Sequence, residues 1–303
     1  MSDFNLASFS PQPEKIAVVT GANTGLGYET ALELAKLQIN VILACRNLTK
    51  AEEAKQKIIA EFPEAKLDLL ELDLSSLTSV RTFSKNFQQK YSRLDVLVNN
   101  AGIMALPERE ETAEGFEKQL GVNHLGHFLL TGLLLDTLER TSGARVVSLS
   151  SVAHKFGKIN FEDLQLKDNY EPWKAYGQSK IACLLFALEL NRRLQANQSK
   201  VISVAAHPGF SPTDLQRHLS GPFKWLNQVT KFLSQPPSKG ALPTLYAALG
   251  EDIRGGDYLG PDGFLEGRGQ PAKVEPNNDA KDLEIARRLW EESEKLVGFT
   301  YQF

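Results

Sequence analysis

From residue 15 onward, short runs of apolar and β-branched residues alternate with longer amphipathic runs. Short apolar runs between polar turns are typical of buried strands, and amphipathic runs are typical of helices that cover a sheet. The pattern predicts strands at about residues 16–19, 41–44, 67–72, 94–98, 146–149 and 201–206, with a weaker strand at 258–259. It predicts helices at about residues 26–37, 49–61, 77–91, 113–139, 176–195 and 279–297.

This alternation continues without a linker from residue 15 to about residue 206. Repetition of this kind builds a parallel sheet with helices on both faces. We therefore expect an α/β fold, with a doubly wound Rossmann-type parallel sheet in one domain that covers residues 15–303. Residues 1–14 are polar and contain prolines, with no basic segment before an apolar one, so they predict a flexible arm and not a signal peptide.

Residues 207–240 interrupt the alternation. They hold five prolines with aromatic residues between them, a composition that is too irregular for a sheet and too apolar for a solvated linker. We expect this segment to form a C-terminal lid on the domain.

Composition excludes several classes of protein. The 303 residues include 34 Lys and Arg against 37 Asp and Glu, and the cations are not massed in a basic stripe, which disfavours a nucleic-acid partner. Two cysteines are too few for a disulfide framework and favour a reducing compartment. The most apolar stretch, residues 128–138, is too short to span a bilayer, so we expect a soluble, cytoplasmic protein.

A glycine-rich turn follows the first predicted strand and precedes a helix. Glycines in such a turn let the backbone approach a pyrophosphate, whose charge is stabilised at a helix N-terminus. The spacing of the glycines differs from the G-x-G-x-x-G fingerprint, so a tight connection without a ligand remains the alternative. The candidate phosphate-binding residues of this turn are Gly21, Asn23, Thr24, Gly25, Leu26 and Gly27.

The ends of the next two strands add candidates for nucleotide recognition. Arg46 follows the second strand, where a fold that binds NAD commonly has an acidic residue for the ribose 2′-hydroxyl. A cation at that position suits a 2′-phosphate and predicts NADP(H), although an exposed arginine with no ligand is the alternative. Asp73 and Leu74 follow the third strand. Asp73 suits either an adenine contact or the N-cap of the next helix.

Further motifs complete an ordered set that resembles the short-chain dehydrogenase/reductase family. They are Asn99-Asn100-Ala101-Gly102, Asn123, the pair Ser150-Ser151, the Tyr-x-x-x-Lys spacing of Tyr176 and Lys180, and Pro208-Gly209. The resemblance covers nearly the whole chain. It implies that Asn100, Ala101, Gly102, Tyr176, Lys180, Pro208 and Gly209 contact the coenzyme.

Tyr176 and Lys180 are four residues apart, so a helix presents them on one face. An isolated phenol ionises only at about pH 10, and a nearby ammonium group favours the phenolate, which suits a proton donor and acceptor. The resemblance implies that Lys180 also holds the nicotinamide ribose, Ser151 bonds the substrate oxygen, and Asn123 fixes a water for proton relay. Ser150 is the better candidate for capping a turn.

Within the family, residues 44–47, 123–128, 151–154 and 206–209 look like the retinol dehydrogenase-like branch, and light-dependent protochlorophyllide reductase is a near relative. The resemblance implies NADPH-dependent reduction of a bulky apolar aldehyde or ketone, retinal-like or apocarotenoid-like. A light-dependent reductase and a non-catalytic NADP(H)-binding protein are the alternatives. The sequence does not decide the substrate or whether the chain forms a homo-oligomer.

Two further expectations concern the lid and metals. Apolar side chains of the lid suit a bulky apolar substrate, although they would also suit a core beneath a surface loop. Three histidines, His124, His127 and His154, lack the spacing of a ligand set, so we expect no metal. The apolar residues of the lid are Phe210, Leu215, Leu219, Phe223, Trp225, Leu226, Phe232 and Leu233.

Overall fold

In the computed structural model, which describes residues 4–210 and 235–303, eight strands form one sheet. The strands are β1 Ile16–Thr20, β2 Asn40–Cys45, β3 Leu67–Glu71, β4 Val96–Asn99, β5 Arg145–Leu149, β6 Ile202–Ala206, β7 Tyr258–Pro261 and β8 Pro271–Lys273. Their order across the sheet is β3-β2-β1-β4-β5-β6-β7-β8. All neighbours are parallel except β7 and β8. The predicted doubly wound sheet is confirmed.

Seven helices of eight or more residues lie in the described part of the chain. They are α1 Gly25–Lys36, α2 Leu48–Glu61, α3 Leu77–Lys90, α4 Gly126–Glu139, α5 Pro172–Ala196, α6 Leu242–Leu249 and α7 Leu283–Val297. None of the described helices combines the length and the apolar composition that crossing a membrane requires.

The helices cover both faces of the sheet and bury two apolar clusters. Alternate residues of each strand point to opposite faces, so Val18 belongs to the cluster formed with α3, α4, α5 and α7, whereas Val19 belongs to the cluster formed with α1, α2 and α6. Trp290 of α7 is fully buried against Phe128 of α4, with ring centroids 4.9 Å apart. These two layers hold the carboxyl ends of the central strands at one edge of the sheet.

The predicted helix over residues 113–139 is wrong at its beginning. Thr112 and Phe116 pair across a tight turn in which Gly115 has a φ of +83°. Helical structure begins at Lys118–Leu120, where the Glu117 carboxylate accepts from two backbone N–H groups, at 2.9 and 2.7 Å. A π turn, Gly121–Leu125, then leads into α4.

Two elements were not predicted. Helix α6 and the antiparallel edge strand β8 both follow the segment expected to be a lid. Of that segment, residues 211–234 and most of its apolar side chains lie outside the described residues, while residues 237–240 form a short helix.

Part of the segment expected to be a flexible arm contacts the domain. The Phe4 ring stacks on Tyr246 of α6, with centroids 4.8 Å apart, and the backbone N–H of Gln12 donates to the carbonyl of Leu37 at 2.7 Å.

Candidate active site

A cleft of about 420 Å³ opens at the carboxyl ends of β1, β2, β3 and β4. Strand order reverses between β1 and β4, and such a switch point is where doubly wound sheets bind their ligands. Sequence-predicted residues in its lining are Gly21, Asn23, Thr24, Gly25, Leu26, Gly27, Arg46, Asp73, Leu74, Asn100, Ala101 and Gly102. The structure therefore brings these residues, from four loops, to one surface.

The glycine turn has a shape that larger residues could not adopt. Gly21 and Gly25 have φ angles of +66° and +57°. A Cβ atom on Gly27 would lie 2.4 Å from the Gly21 carbonyl oxygen and 2.5 Å from Nδ2 of Asn100. The first backbone N–H groups of α1 therefore border an open cradle, and this arrangement fits the pyrophosphate of a dinucleotide.

Two exposed cations line the far end of the cleft. Arg46 follows β2, and Lys50 lies one turn later on α2. The Asn47 side chain caps α2 by accepting from the backbone N–H of Lys50 at 3.0 Å. The pair fits a 2′-phosphate. Sequence reasoning missed Lys50, although its spacing of four residues from Arg46 at a helix start was a usable signal.

Asp73 stabilises the turn between β3 and α3. Its carboxylate accepts from the backbone N–H of Ser75 at 2.9 Å and from the Ser75 hydroxyl at 2.6 Å. The N-cap of α3 is Ser76, whose hydroxyl oxygen accepts from the Ser79 N–H. Asp73 is therefore part of the turn that leads into this N-cap, and its backbone N–H donates to the Ser79 hydroxyl of α3 at 2.9 Å. Asp73 also lines the cleft.

Tyr176 and Lys180 lie on one face of α5, and both are at least 94 % buried. The ammonium nitrogen of Lys180 lies 5.9 Å from the centroid of the Tyr176 ring and donates to the Leu149 carbonyl at 3.1 Å. A Cβ atom on Gly102 would be 3.5 Å from Lys180 Nζ and 3.2 Å from Asn123 Oδ1. Gly102 lines the cleft, so these polar groups meet at its inner end.

The Asn123 side chain is fixed by three hydrogen bonds. Its oxygen accepts from the Ile103 N–H at 2.8 Å, and its amide nitrogen donates to the Ile103 carbonyl at 3.0 Å and to the Ser179 hydroxyl at 2.8 Å. The Ser179 hydroxyl in turn donates to the carbonyl of Tyr176 at 2.8 Å. Asn123 thereby ties the loop after β4 to the backbone of the Tyr176 turn.

Of the two serines after β5, Ser151 caps the following turn, whereas the sequence favoured Ser150 for that role. Ser150 is buried and donates to the Lys180 carbonyl at 2.7 Å. Ser151 is the N-cap of the following short helix, and its hydroxyl oxygen accepts from the Ala153 N–H at 3.2 Å. Ser151 is only partly buried, whereas Ser150 is buried.

Pro208 and Gly209 follow β6 and do not line the cleft. Gly209 has a φ of +66°, and a Cβ atom there would lie 2.4 Å from the Gly267 carbonyl oxygen. The glycine therefore permits close packing of the segment before β8. The contact of Pro208 and Gly209 with the coenzyme therefore stays a prediction from the family resemblance.

The three histidines noted in the sequence each bond a different element. His124 contacts the Ser293 hydroxyl of α7 at 2.8 Å, and His154 contacts the Ser151 carbonyl at 2.7 Å. Burial lowers the pKa of His124 to about 3 and that of His154 to about 4. Within residues 4–210 and 235–303, no three metal-ligating side chains form a group.

A family model for short chain dehydrogenases matches residues 15–222. Among curated proteins, retinol dehydrogenase 13 of Mus musculus is 45 % identical over 301 residues, covering 94 % of this chain and 84 % of that protein. Polyprenol dehydrogenase of Mus musculus is 41 % identical over 307 residues, with coverages of 98 % and 88 %. Retinol dehydrogenase 11 of Homo sapiens is 41 % identical over 286 residues, with coverages of 94 % and 86 %.

Solved structures agree with these matches. A crystal structure of a protein from Mycobacterium Paratuberculosis is 40 % identical, covers 100 % of both chains and has a TM-score of 0.82. The Pseudomonas aeruginosa RhlG/NADP complex has a TM-score of 0.67 at 24 % identity, covers 84 % of this chain and 98 % of its own, and shows the shared fold alone. The fold, the matched family model and the similar dehydrogenases together show that this chain is an alcohol/carbonyl oxidoreductase of the short-chain dehydrogenase/reductase family, in its retinol dehydrogenase-like branch.

Proposed function

We propose that this protein reduces a bulky apolar aldehyde or ketone to the alcohol, with NADPH as the coenzyme and Tyr176 as the acid. The observation that carries the proposal is the continuity of one cleft. Its outer end presents the cations Arg46 and Lys50, and its inner end reaches Gly102 beside Lys180. A nucleotide held along this cleft would have its phosphates at the glycine turn.

The chain's own residues divide the proton chemistry. The coenzyme, when bound, supplies the hydride. The Tyr176 hydroxyl donates a proton to the carbonyl oxygen, and the Ser151 hydroxyl donates a hydrogen bond to the same oxygen. The Lys180 ammonium lies beside the Tyr176 ring, where its positive charge attracts the negative oxygen that proton transfer leaves. Asn123 positions the helical turn that carries Tyr176, because its amide bonds the Ser179 hydroxyl, which in turn bonds the Tyr176 carbonyl.

Replacement of Tyr176 by Phe tests the acid. Tyr176→Phe removes the hydroxyl and keeps the ring, so we expect kcat to fall by at least about a hundredfold, the lower end for general acid catalysis, while NADPH binding is preserved. Tyr246→Phe is the matched control, because it removes a hydroxyl that bonds Asp252 on the other face of the sheet. Retention of most of the activity in Tyr176→Phe would exclude this residue as the acid.

Charge reversal at Arg46 tests the coenzyme. Arg46→Asp should repel the 2′-phosphate and shift the ratio of kcat/KM for NADPH over NADH by about two orders of magnitude, because charge-assisted contacts contribute about 1.5–3 kcal/mol each. Lys50→Ala should shift the ratio in the same direction by less. Lys57→Asp is the control, since Lys57 is an exposed cation of α2 outside the cleft. An unchanged ratio in Arg46→Asp contradicts the choice of NADP(H).

Apolar groups beside Tyr176 support a bulky apolar substrate. The Trp173 ring meets the Tyr176 ring edge-on at 6.0 Å, and Phe156 is 58 % exposed. Two of the similar proteins, retinol dehydrogenase 13 and polyprenol dehydrogenase, are named after long apolar alcohols. We expect kcat/KM to rise along a series of straight-chain aldehydes, by up to about fourfold per buried methylene at about 0.8 kcal/mol. Glyceraldehyde turned over as efficiently as decanal or retinal would contradict this substrate class.

A further inference from the structure

His127 is a buried polar residue that the proposed chemistry leaves without a role. It lies at the start of α4, directly after the π turn, and its ring is 3 % exposed. Its Nε2 atom is 2.8 Å from the Thr20 hydroxyl at the end of β1. Its Nδ1 atom is 3.0 Å from the carbonyl oxygen of Asn123. The ring therefore bridges the strand that leads into the glycine turn and the residue that fixes the Tyr176 turn.

The hydrogen bonds around Thr20 determine which nitrogen of His127 carries the proton. The backbone N–H groups of Asn100 and Ala101 both donate to the Thr20 hydroxyl oxygen at 2.9 Å, which uses its two lone pairs. The hydroxyl hydrogen has two acceptors in reach, Nε2 of His127 at 2.8 Å and the Val98 carbonyl at the longer distance of 3.3 Å, and the shorter contact favours Nε2. The proton of His127 is then on Nδ1, where it donates to the Asn123 carbonyl.

A positively charged imidazole would break this arrangement. A proton on Nε2 would face a hydroxyl with no lone pair left to accept it. Burial and, to a smaller extent, the nearby Lys180 charge lower the pKa of His127 to about 4. The hydrogen bonds thus run from Ala101 through Thr20 and His127 to Asn123, with the Val98 carbonyl as a second, longer acceptor for the Thr20 hydroxyl, so displacement of one member disturbs the next.

One end of this chain of hydrogen bonds lines the cleft, and the other, Asn123, lies beside Gly102 of the cleft lining. Asn100 and Ala101 line its wall, and the Asn100 side chain also donates to the Thr20 carbonyl at 2.7 Å. Asn123 has two side-chain donors on its carbonyl, His127 and the Cys183 thiol at 3.1 Å. Cys183 lies on α5, three residues after Lys180. The carbonyl of Asn123 is therefore held from both the coenzyme side and the Tyr176 side.

We propose that His127 is a positioning residue that couples the coenzyme-binding turn to Asn123 and, through it, to the Tyr176 and Lys180 face. This role rests on the proposed function, since it concerns the same cleft. It requires His127 to affect nucleotide affinity and turnover together, although the ring contacts neither the nucleotide cleft nor the reacting groups.

His124 provides a matched control on the same turn of helix. It is 2 % exposed and neutral like His127, but its Nε2 atom bonds Ser293 on α7, away from the cleft. Replacement of either histidine by Phe removes one buried imidazole. Both variants should lose thermal stability to a similar degree, whereas only His127→Phe should change the active site.

The experiment compares NADPH affinity, kcat, KM and Tm in the wild type, His127→Phe, His124→Phe, His127→Asn and Thr20→Val. We expect His127→Phe to weaken NADPH binding and to lower kcat, each by about tenfold, as the loss of buried hydrogen bonds predicts. His124→Phe should change both by less than about twofold. His127→Asn, which restores a donor toward Asn123, should recover part of kcat. The double variant of Thr20→Val and His127→Phe should be no worse than the poorer single variant.

The outcomes separate the two proposals. Equal kinetic effects of His127→Phe and His124→Phe, or additive effects in the double variant, overturn the role of His127 while the proposed function stands. If His127→Phe does not fold, His127→Asn and Thr20→Val decide by the same comparison of affinity with kcat. Wild-type protein that neither binds NADPH nor turns over an aldehyde contradicts the proposed function and this role with it.

Discussion

Buried histidines should make the fold sensitive to mild acid. His124, His127, His154 and His207 are each at least 97 % buried, and burial lowers the pKa of all four. The values are about 3 for His124 and about 4 for His127 and His154, against 6.5 for an ordinary histidine. These rings stay neutral in the folded protein at a pH where the unfolded chain is already protonated.

The sign and size of the effect follow from proton linkage. The unfolded chain takes up protons below about pH 6.5 that the folded chain does not, so stability is full above that pH and falls as the pH is lowered. At pH 5, which is about 1.5 pH units below the ordinary histidine pKa, each histidine lowers the free energy of unfolding by about 2 kcal/mol, at 1.36 kcal/mol per pH unit. Three such residues remove about 6 kcal/mol, a large part of the 5–15 kcal/mol of a typical domain.

Carboxylates do not cause a loss of stability within this pH range. Burial raises the pKa of Glu29 and Glu117, and their uptake of protons in the folded chain acts against the effect of the histidines. Glu266 has the most strongly lowered carboxyl pKa, about 2, because of its contact with His207. Its stabilising effect is lost only as the pH falls below its ordinary value of 4.5. A loss of stability between pH 7 and pH 5 therefore reports the histidines.

Urea unfolding between pH 5 and pH 7.5 measures this dependence. We expect the free energy of unfolding to fall with a slope that approaches about 1.4 kcal/mol per pH unit for each of these histidines near pH 5. His124→Phe should lower the free energy of unfolding at pH 7.5. The variant should also show a smaller slope near pH 5, by the contribution of one histidine, about 1.4 kcal/mol per pH unit. A free energy that stays constant between pH 7 and pH 5, or an unchanged slope in His124→Phe, would refute the assignment of neutral buried rings.

Three further predictions test the cleft, the start of the helical region and the core. Gly27→Ala places a methyl group 2.4 Å from the Gly21 carbonyl, so NADPH binding measured by fluorescence should be lost, and retained affinity would contradict the cradle. Glu117→Gln leaves one of two capped N–H groups without a carboxylate oxygen and should cost about 1–2 kcal/mol in urea unfolding; no loss would contradict the cap. Trp290→Ala removes a fully buried ring beside Phe128 and should cost about 3–5 kcal/mol, and a Tm within a degree of wild type would be inconsistent with this packing.

The sequence predicted the core of the fold because its strands and helices differ in period. Strands β1 to β6 are short apolar runs, and the helices between them have one apolar face, so the pattern separates them. Helix α6 was missed because seven of its eight residues are buried, which leaves no polar face to give the helical period. Strand β8 has three residues, too few to show an alternation.

Prediction of the candidate site succeeded for residues in ordered motifs and failed for isolated ones. Each glycine of the turn stands between a strand and a helix, so its position in the fold follows from its position in the chain. Lys118, which also lines the cleft, is a single cation at the start of the helical region, and sequence pattern does not distinguish it from exposed lysines elsewhere. The capping role of Ser151 depends on the short helix after it, which has no periodic signal.

The π turn at Gly121–Leu125 shows how a local departure from regular helix serves the site. Regular periodicity predicted an unbroken helix here, but the N–H of Gly126 donates to the Gly121 carbonyl, five residues back. A turn of this kind costs helix stability and persists where surrounding contacts compensate. Those contacts include two hydrogen bonds of Asn123: its side-chain amide donates to the Ser179 hydroxyl, and its backbone carbonyl accepts from His127. The π turn thus coincides with the residue that holds the Tyr176 turn through its side chain and meets His127 through its backbone carbonyl.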